Sequence, residues 1–228
     1  MKVLSIDIGL KHLAHCWLDT TLSHPIVDWQ VIDLTERFCS CGAKAEVQLN
    51  RVAKCKLHAN VSSKGLVECI AQCTEAGLPL GTVDDMRRTL TKHAKKIDVM
   101  SVEDVSKSII RNYAKLPDMD IVLVENQIGP LASKMKMIQG MVIQYWVSRH
   151  AKIECISACN KLKLFHVGKT TYAERKKLSI QHTLSILESN QMDTSFFLKH
   201  KKKDDLADTF LQGIWYLHNC GILNIKSS

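Results

Sequence analysis

Two short apolar runs in this chain each close on a carboxylate: Lys2-Val3-Leu4-Ser5-Ile6-Asp7 at the start and Ile121-Val122-Leu123-Val124-Glu125 near the middle. A nearly unbroken apolar run of this length, rich in branched residues, fits a strand buried on both faces, as found in sheets covered by helices. A carboxylate ending such a strand is costly to bury unless it is paired, hydrogen-bonded or bound to a metal. Together the runs point to an α/β fold with a polar site where two strand ends converge.

The rest of the pattern agrees. Residues 2–8 stop at Gly9, and Leu13–Leu18 and Ile26–Leu34, rich in Val, Ile and Trp, are divided by Ser23-His24-Pro25, so a three-strand meander is expected. After 120–125 the sequence predicts a helix over Pro130–Val147, a strand over Ala151–Ile156, and helices over Thr171–Leu187 and Asp204–His218. The stretch Leu131–Val147 is apolar nearly all round, which fits a core helix and a subunit interface equally. At 228 residues, 46% of them hydrophobic, the chain can build one well-packed domain with a small appendage. No apolar run reaches the roughly 18–20 residues of a membrane-spanning helix, and Asp7 interrupts any secretory core, so a soluble, intracellular protein with no membrane partner is expected. Lysine and arginine number 31 against 23 acids, a net charge of +8 that puts nucleic acid first among partners.

The last helix adds acids. In Lys203-Asp204-Asp205-Leu206-Ala207-Asp208, Asp205 and Asp208 lie at i, i+3 and share a face. At about 100° per residue, Thr209, Gln212 and Tyr216 accompany them, while Leu206, Phe210, Ile214 and Leu217 take the other side. Asp204 falls off that face and suits the helix start, where the dipole favours an acid. Asp7, Glu125, Asp205 and Asp208 are thus four hard oxygen donors suited to two divalent cations, Mg²⁺ or Mn²⁺, around an in-line phosphoryl displacement. Each acid taken alone fits an ordinary surface position equally well.

Cations flank these acids in sequence. On the helix at 171–187 an apolar stripe through Ala173, Ile180, Leu184 and Leu187 is bordered by Lys176 and Lys177, with Arg175 turned away. Lys199-His200-Lys201-Lys202-Lys203 sets positive charge at a helix N-terminus, where the dipole disfavours it. Phosphate contact by Lys177, Lys201, Lys202 and Lys203 is one account of these charges and a solvated loop is the other.

Ser5-Ile6-Asp7-Ile8-Gly9, Val124-Glu125-Asn126-Gln127 with the following Met135-Lys136-Met137-Ile138-Gln139-Gly140, and Lys203-Asp204-Asp205-Leu206-Ala207-Asp208 resemble the poxvirus-type Holliday-junction resolvases, a RuvC-like branch of the RNase H-like superfamily found in large DNA viruses. The resemblance covers roughly residues 1–35 and 118–220. It implies a five-stranded mixed sheet flanked by helices, a homodimer, and Mg²⁺-dependent nicking of two opposed strands of a four-way DNA junction. It also implies Asp7, Glu125, Asp205 and Asp208 as metal ligands and a lysine of the 172–177 stretch, Lys176 by preference, as a catalytic or phosphate-binding cation. For a viral protein the implied place of work is the DNA replication compartment of the infected cell. A ribonuclease or transposase-like nuclease of the same superfamily, or a catalytically silent zinc-containing DNA-binding protein, are the competing readings.

Residues 36–117 depart from that pattern and read as an insertion between the core segments 1–35 and 118–228, with helices from about 62 to 115 divided by Gly77-Leu78-Pro79-Leu80-Gly81. Cys39-Ser40-Cys41-Gly42 and Cys55-Lys56-Leu57-His58 place four soft ligands in two pairs, as in a zinc ribbon. The first pair is one residue tighter than usual, and Cys69 and Cys73 are substitute ligands; plain reduced cysteines are the alternative. Four protein ligands leave no open position, so such a zinc is structural. The nine cysteines are odd in number and grouped around histidine, and no disulfides are expected; Cys155 and Cys159 read as core or loop thiols. Val167-Gly168-Lys169-Thr170-Thr171 is no P-loop, since Lys163 stands where the first glycine belongs.

Overall fold

The computed structural model describes residues 1–36, 47–49, 52–54, 101–127, 133–165 and 170–223, with 47–49 and 52–54 as backbone only. Cys39, Cys41, Cys55 and His58, their substitutes Cys69 and Cys73, and the helices expected between 62 and 100 lie outside the described residues.

Strand β1 (Lys2–Asp7) is the middle of a five-stranded sheet, and its residues Val3 to Ile6 have no solvent exposure. Strands β2 (Leu13–Asp19) and β3 (Ile26–Ile32) continue from it as an antiparallel meander. The turn after β1 is tight: a Cβ added at Gly9 would lie 2.5 Å from the His12 carbonyl oxygen, so only glycine fits there. Strands β4 (Val47–Leu49) and β5 (Val52–Lys54) form a separate two-stranded ladder. On the other side of β1 the chain returns as β6 (Ile121–Glu125), parallel to β1, and then as β7 (Lys152–Ile156), parallel to β6, giving the order β3-β2-β1-β6-β7.

The chain divides into two units, one of Met1–Leu34 with Val105–Ser228 and the other Thr35–Asp104. Helix α1 (Val102–Tyr113) runs into the first unit, where its Val105, Ile109 and Tyr113 are buried. Helix α2 is described over Ser133–Val147, and the expected start at Pro130 lies outside the described residues. It buries Ile138, Gln139, Val142 and Trp146 and exposes Lys134, Lys136 and Gly140, so one stripe faces the core and the helix is not apolar all round.

Helix α3 (Tyr172–Ser189) begins as predicted. Thr171 caps it, its hydroxyl accepting from the Glu174 amide at 3.3 Å while the Glu174 carboxylate accepts from the Thr171 amide at 2.7 Å. Its buried residues differ from expectation: they are Ser179, Thr183, Ile186 and Leu187, and Ala173 is exposed. A short helix α4 (Ser195–Lys199), unforeseen in the sequence, stacks Phe197 on the Trp29 ring at 5.2 Å between centroids.

Helix α5 (Lys203–Asn219) is the central helix. Leu206, Phe210, Leu211, Ile214 and Leu217 join Val3, Cys16, Leu18, Trp29 and Leu123 in the core cluster. Strand side chains alternate between faces, so Val3, Ser5 and Asp7 share the α5 side of β1 while Leu4 and Ile6 look to the other. That second face carries His15, against the Tyr113 ring at 5.7 Å, and Tyr113 against Trp146 at 5.4 Å. Among the described residues no helix is long and apolar enough to cross a membrane, and Cys16, Cys155, Cys159 and Cys220 are free thiols, with Cys155 and Cys159 exposed rather than in the core.

Candidate active site

The alternation that buries the strands also delivers their acids. Asp7 shares the face of Val3 and Ser5, and Glu125 the face of Leu123, so both carboxylates leave the ends of adjacent parallel strands towards α5. Asp208, in the second turn of α5, meets them from above. The three are gathered around one ammonium that the sequence reading missed: Lys161 Nζ lies 2.6 Å from Glu125 Oε2, 3.1 Å from Asp208 Oδ2 and 3.9 Å from Asp7 Oδ2. Lys161 follows β7 and the 3₁₀ turn Ala158–Asn160, and its side chain is only 7% exposed.

Burial and crowding shape the charges. Burial pushes the Asp7 carboxyl well above the usual carboxylate range, against the pull of Lys161, and a hydrogen bond to Glu125 adds to the rise. Burial acts the same way on Glu125 but is overcome by the Asp7 hydrogen bond and the Lys161 ammonium, which hold it below its ordinary value. Burial would strip Lys161 of its proton; the three carboxylates outweigh that and raise its affinity for the proton instead.

These groups line a cleft of about 770 Å³ together with Lys163, Tyr172, Arg175, Lys176 and Asp205. Asp205 therefore belongs to the same site but not to the cluster around Lys161. Its nearest cation is Lys202 Nζ at 4.0 Å, its Oδ2 has no hydrogen-bond partner among the described residues, and burial followed by the neighbouring Asp204 raises its pKa. Asp204 sits in the first turn of α5 as predicted, but it holds Lys176, 2.5 Å from its carboxylate, and does not cap the helix, whose capping residue is Lys202. Burial tends to raise the Asp204 carboxyl, and the Lys176 hydrogen bond more than offsets this and keeps it low.

The cationic rim differs from the one the sequence predicts. Lys176 borders the cleft, and so does Arg175, which the expected stripe turned away; Lys177 is exposed and is not among the lining residues. The reason is the buried face of α3: a stripe through Ser179, Thr183 and Leu187 rotates the helix so that positions 175 and 176 face inward. Lys201, Lys202 and Lys203 also lie off the cleft lining, with Lys201 exposed and Lys202 and Lys203 half-buried.

The donor set suits a hard divalent cation. Carboxylates from three elements already surround a positive charge, and Lys161 Nζ stands in for an ion among their oxygens. Among the described residues the acids close on that lysine rather than on an open position. Asp7, Glu125 and Asp208, with Asp205 beside them, are the residues that would hold such an ion.

A family model described as Poxvirus A22 protein matches residues 82–220, more than half of the chain. The uncharacterized protein L451 of Acanthamoeba polyphaga mimivirus is 23% identical over 310 aligned positions, covering 95% of this chain and 74% of that one. Among solved structures, the Fowlpox virus resolvase in complex with its substrate Holliday junction DNA superposes with a TM-score of 0.52 at 15% identity, covering 96% of this chain and 99% of that one. Thermus thermophilus RuvC superposes with a TM-score of 0.51 at 11% identity, covering 96% and 97%. The five-stranded mixed sheet with flanking helices is thus the fold of those two proteins, as the motif resemblance implied.

Proposed function

The chain belongs to the Poxvirus A22 protein family, and from that premise we propose that it is a structure-selective endonuclease that resolves four-way DNA junctions by metal-dependent nicking of paired, opposed strands. The observation that carries this reading is the gathering of Asp7, Glu125 and Asp208 around one buried ammonium, on a cleft that Lys163, Arg175 and Lys176 also line. An acidic floor calls for cations, and a basic rim accepts the phosphate backbone. The fowlpox protein, a resolvase solved with a Holliday junction, supports the choice of substrate.

The cofactor in this reading is Mg²⁺ or Mn²⁺, two ions per site, with Asp7, Glu125, Asp205 and Asp208 as ligands. When bound, the ions stabilise the attacking and leaving oxygens of an in-line displacement at phosphorus. The protein's own share is electrostatic and geometric. Lys161 keeps three carboxylates within reach of one another and occupies the place among their oxygens where a metal ion would be held. With an ion held there, the Lys161 ammonium would have a phosphate oxygen as its natural partner. Lys176, held by Asp204 and half-exposed, and Arg175 beside it give the incoming strand a cationic wall. A homodimer is part of the proposal, because a two-fold symmetric junction cut at two opposed strands calls for two related sites. A structural zinc held by Cys39, Cys41, Cys55 and His58 belongs to it as well, supported by the spacing of those residues.

With Mg²⁺, the purified protein should nick a synthetic four-way junction far faster than a linear duplex of the same sequence, and Asp7→Asn should abolish cutting while leaving junction binding intact. Equal cutting of junction and duplex would move the assignment to another RNase H-like nuclease. Junction binding without any cutting in Mg²⁺ or Mn²⁺ would move it to a silent DNA-binding protein.

A further inference from the structure

The acids of the site ride on three elements, β1, β6 and α5, and the position of Asp208 against Asp7 depends on how that helix is seated on β1. At the crossing, the packing is as close as a side chain permits. A Cβ added at Gly213 would lie 2.7 Å from Leu18 Cδ1 and 3.4 Å from Ser5 Cβ. Apolar contacts on either side, from Leu206, Phe210, Leu211 and Ile214, hold helix and sheet together, but hydrophobic burial is not directional and names no single register by itself. A slide of one residue would displace Asp208 by about 1.5 Å, far outside the tolerance of about 0.2 Å in metal–ligand distances.

One polar contact crosses this apolar layer next to Gly213. Gln212 has no solvent exposure, and its Nε2 donates to Ser5 Oγ at 3.1 Å and reaches the Ile6 carbonyl oxygen at 3.4 Å. Its Oε1 has no partner among the described residues, so the amide is an expensive choice for a position that leucine would fill with less penalty. Both partners stand directly behind the site. Gln212 is one helical turn beyond Asp208, and Ser5 precedes Asp7 by two residues on the same face of β1.

We propose that Gln212 is a positioning residue: its bond to Ser5 sets the register of α5 on β1 and thereby places Asp208 against Asp7 for metal binding. It acts through the two carboxylates and touches no reacting atom. A second clamp keeps α5 docked without it, since Trp29 Nε1 on β3 donates to the Leu206 carbonyl oxygen at 3.0 Å and to Thr209 Oγ1 at 3.3 Å. The role rests on the metal-dependent reading of the site, and its test needs no DNA.

The experiment measures Mn²⁺ binding to the full chain by electron paramagnetic resonance of the free ion, with thermal melts in parallel, for wild type, Asp7→Asn, Gln212→Leu, Ser5→Ala and the Ser5→Ala/Gln212→Leu double variant. Gln212→Leu should keep or raise Tm without metal yet weaken Mn²⁺ binding at least about tenfold. Ser5→Ala, the milder change, should lose a similar factor, and the double variant should lose no more than either single one, as coupled partners do. Full Mn²⁺ affinity in both single variants, with wild-type binding abolished by Asp7→Asn, would overturn the positioning role alone. Mn²⁺ binding by wild type that survives Asp7→Asn unchanged, or no binding at all, would remove the metal reading and the role with it.

Discussion

Lys161 and Lys176 line the same cleft and each holds carboxylate, yet their surroundings are unlike. Lys161 is 7% exposed and faces acids from β1, β6 and α5 within 4 Å; Lys176 is 39% exposed and, among the described residues, pairs within 4 Å with Asp204, with the Tyr172 ring 5.0 Å away. A buried cation surrounded by three acids is part of the electrostatic skeleton, because removing it leaves like charges crowded in low dielectric. A half-exposed cation with one acid can exchange that partner for a phosphate at little cost, since such pairs contribute little to stability. The comparison separates a lysine that builds the site from one that, in the proposed function, would receive the strand.

The sharpest way to break this distinction is Lys161→Met. It should cut junction nicking at saturating DNA by about 100-fold or more. In EDTA it should also destabilise the fold by about 3 kcal/mol, and Mg²⁺ should raise its Tm by more than it raises that of wild type, because the ion then replaces the missing charge. A metal-induced Tm shift no larger than wild type would mean that Lys161 and the ion do not share a place. Lys176→Met comes next. Its expected effect is on substrate capture, with half-saturation for junction DNA raised about tenfold and the slope of log affinity against log salt reduced by about 1, and with the Mg²⁺-induced Tm shift unchanged. A wild-type salt slope would argue that Lys176 makes no phosphate contact.

The smallest effect concerns acid stability. The Asp204 carboxyl is held below its ordinary range, so its contribution is complete above the unfolded value of about 3.9 and is lost as pH falls through the lower folded value. Melts of Asp204→Asn should therefore lose less Tm than wild type between about pH 5 and about pH 2. Parallel curves would show that the pair with Lys176 contributes nothing to folding.

Much of this was legible in the sequence, and the reasons are specific. The runs ending in Asp7 and Glu125 announced buried strands because continuous apolar residues have few other places to go, and the strict alternation of strand side chains then sends both acids to one side. Asp205 and Asp208 were legible through helical spacing, although Thr209 and Gln212, on the same face, are buried rather than open to the cleft. Lys161 was not legible. It stands in Asn160-Lys161-Leu162-Lys163-Leu164, where lysines and leucines alternate outside any regular element, and nothing local distinguishes the buried lysine from its neighbour. The only available signal was indirect: a floor of clustered acids needs a counter-charge. Arg175 lines the cleft, against the expectation that it points away, for a different reason. An apolar stripe passes over Ser179 and Thr183, whose hydroxyls α3 buries and which a hydropathy pattern scores as surface.

Helix α5 is enclosed along most of its length, from Leu206 to Ile214. Opening it means dismantling the core it shares with the sheet, so local fraying has no route to the middle of the helix. The seat of Asp208 is therefore lost only together with the fold: the site and the core behind it share one cooperative transition.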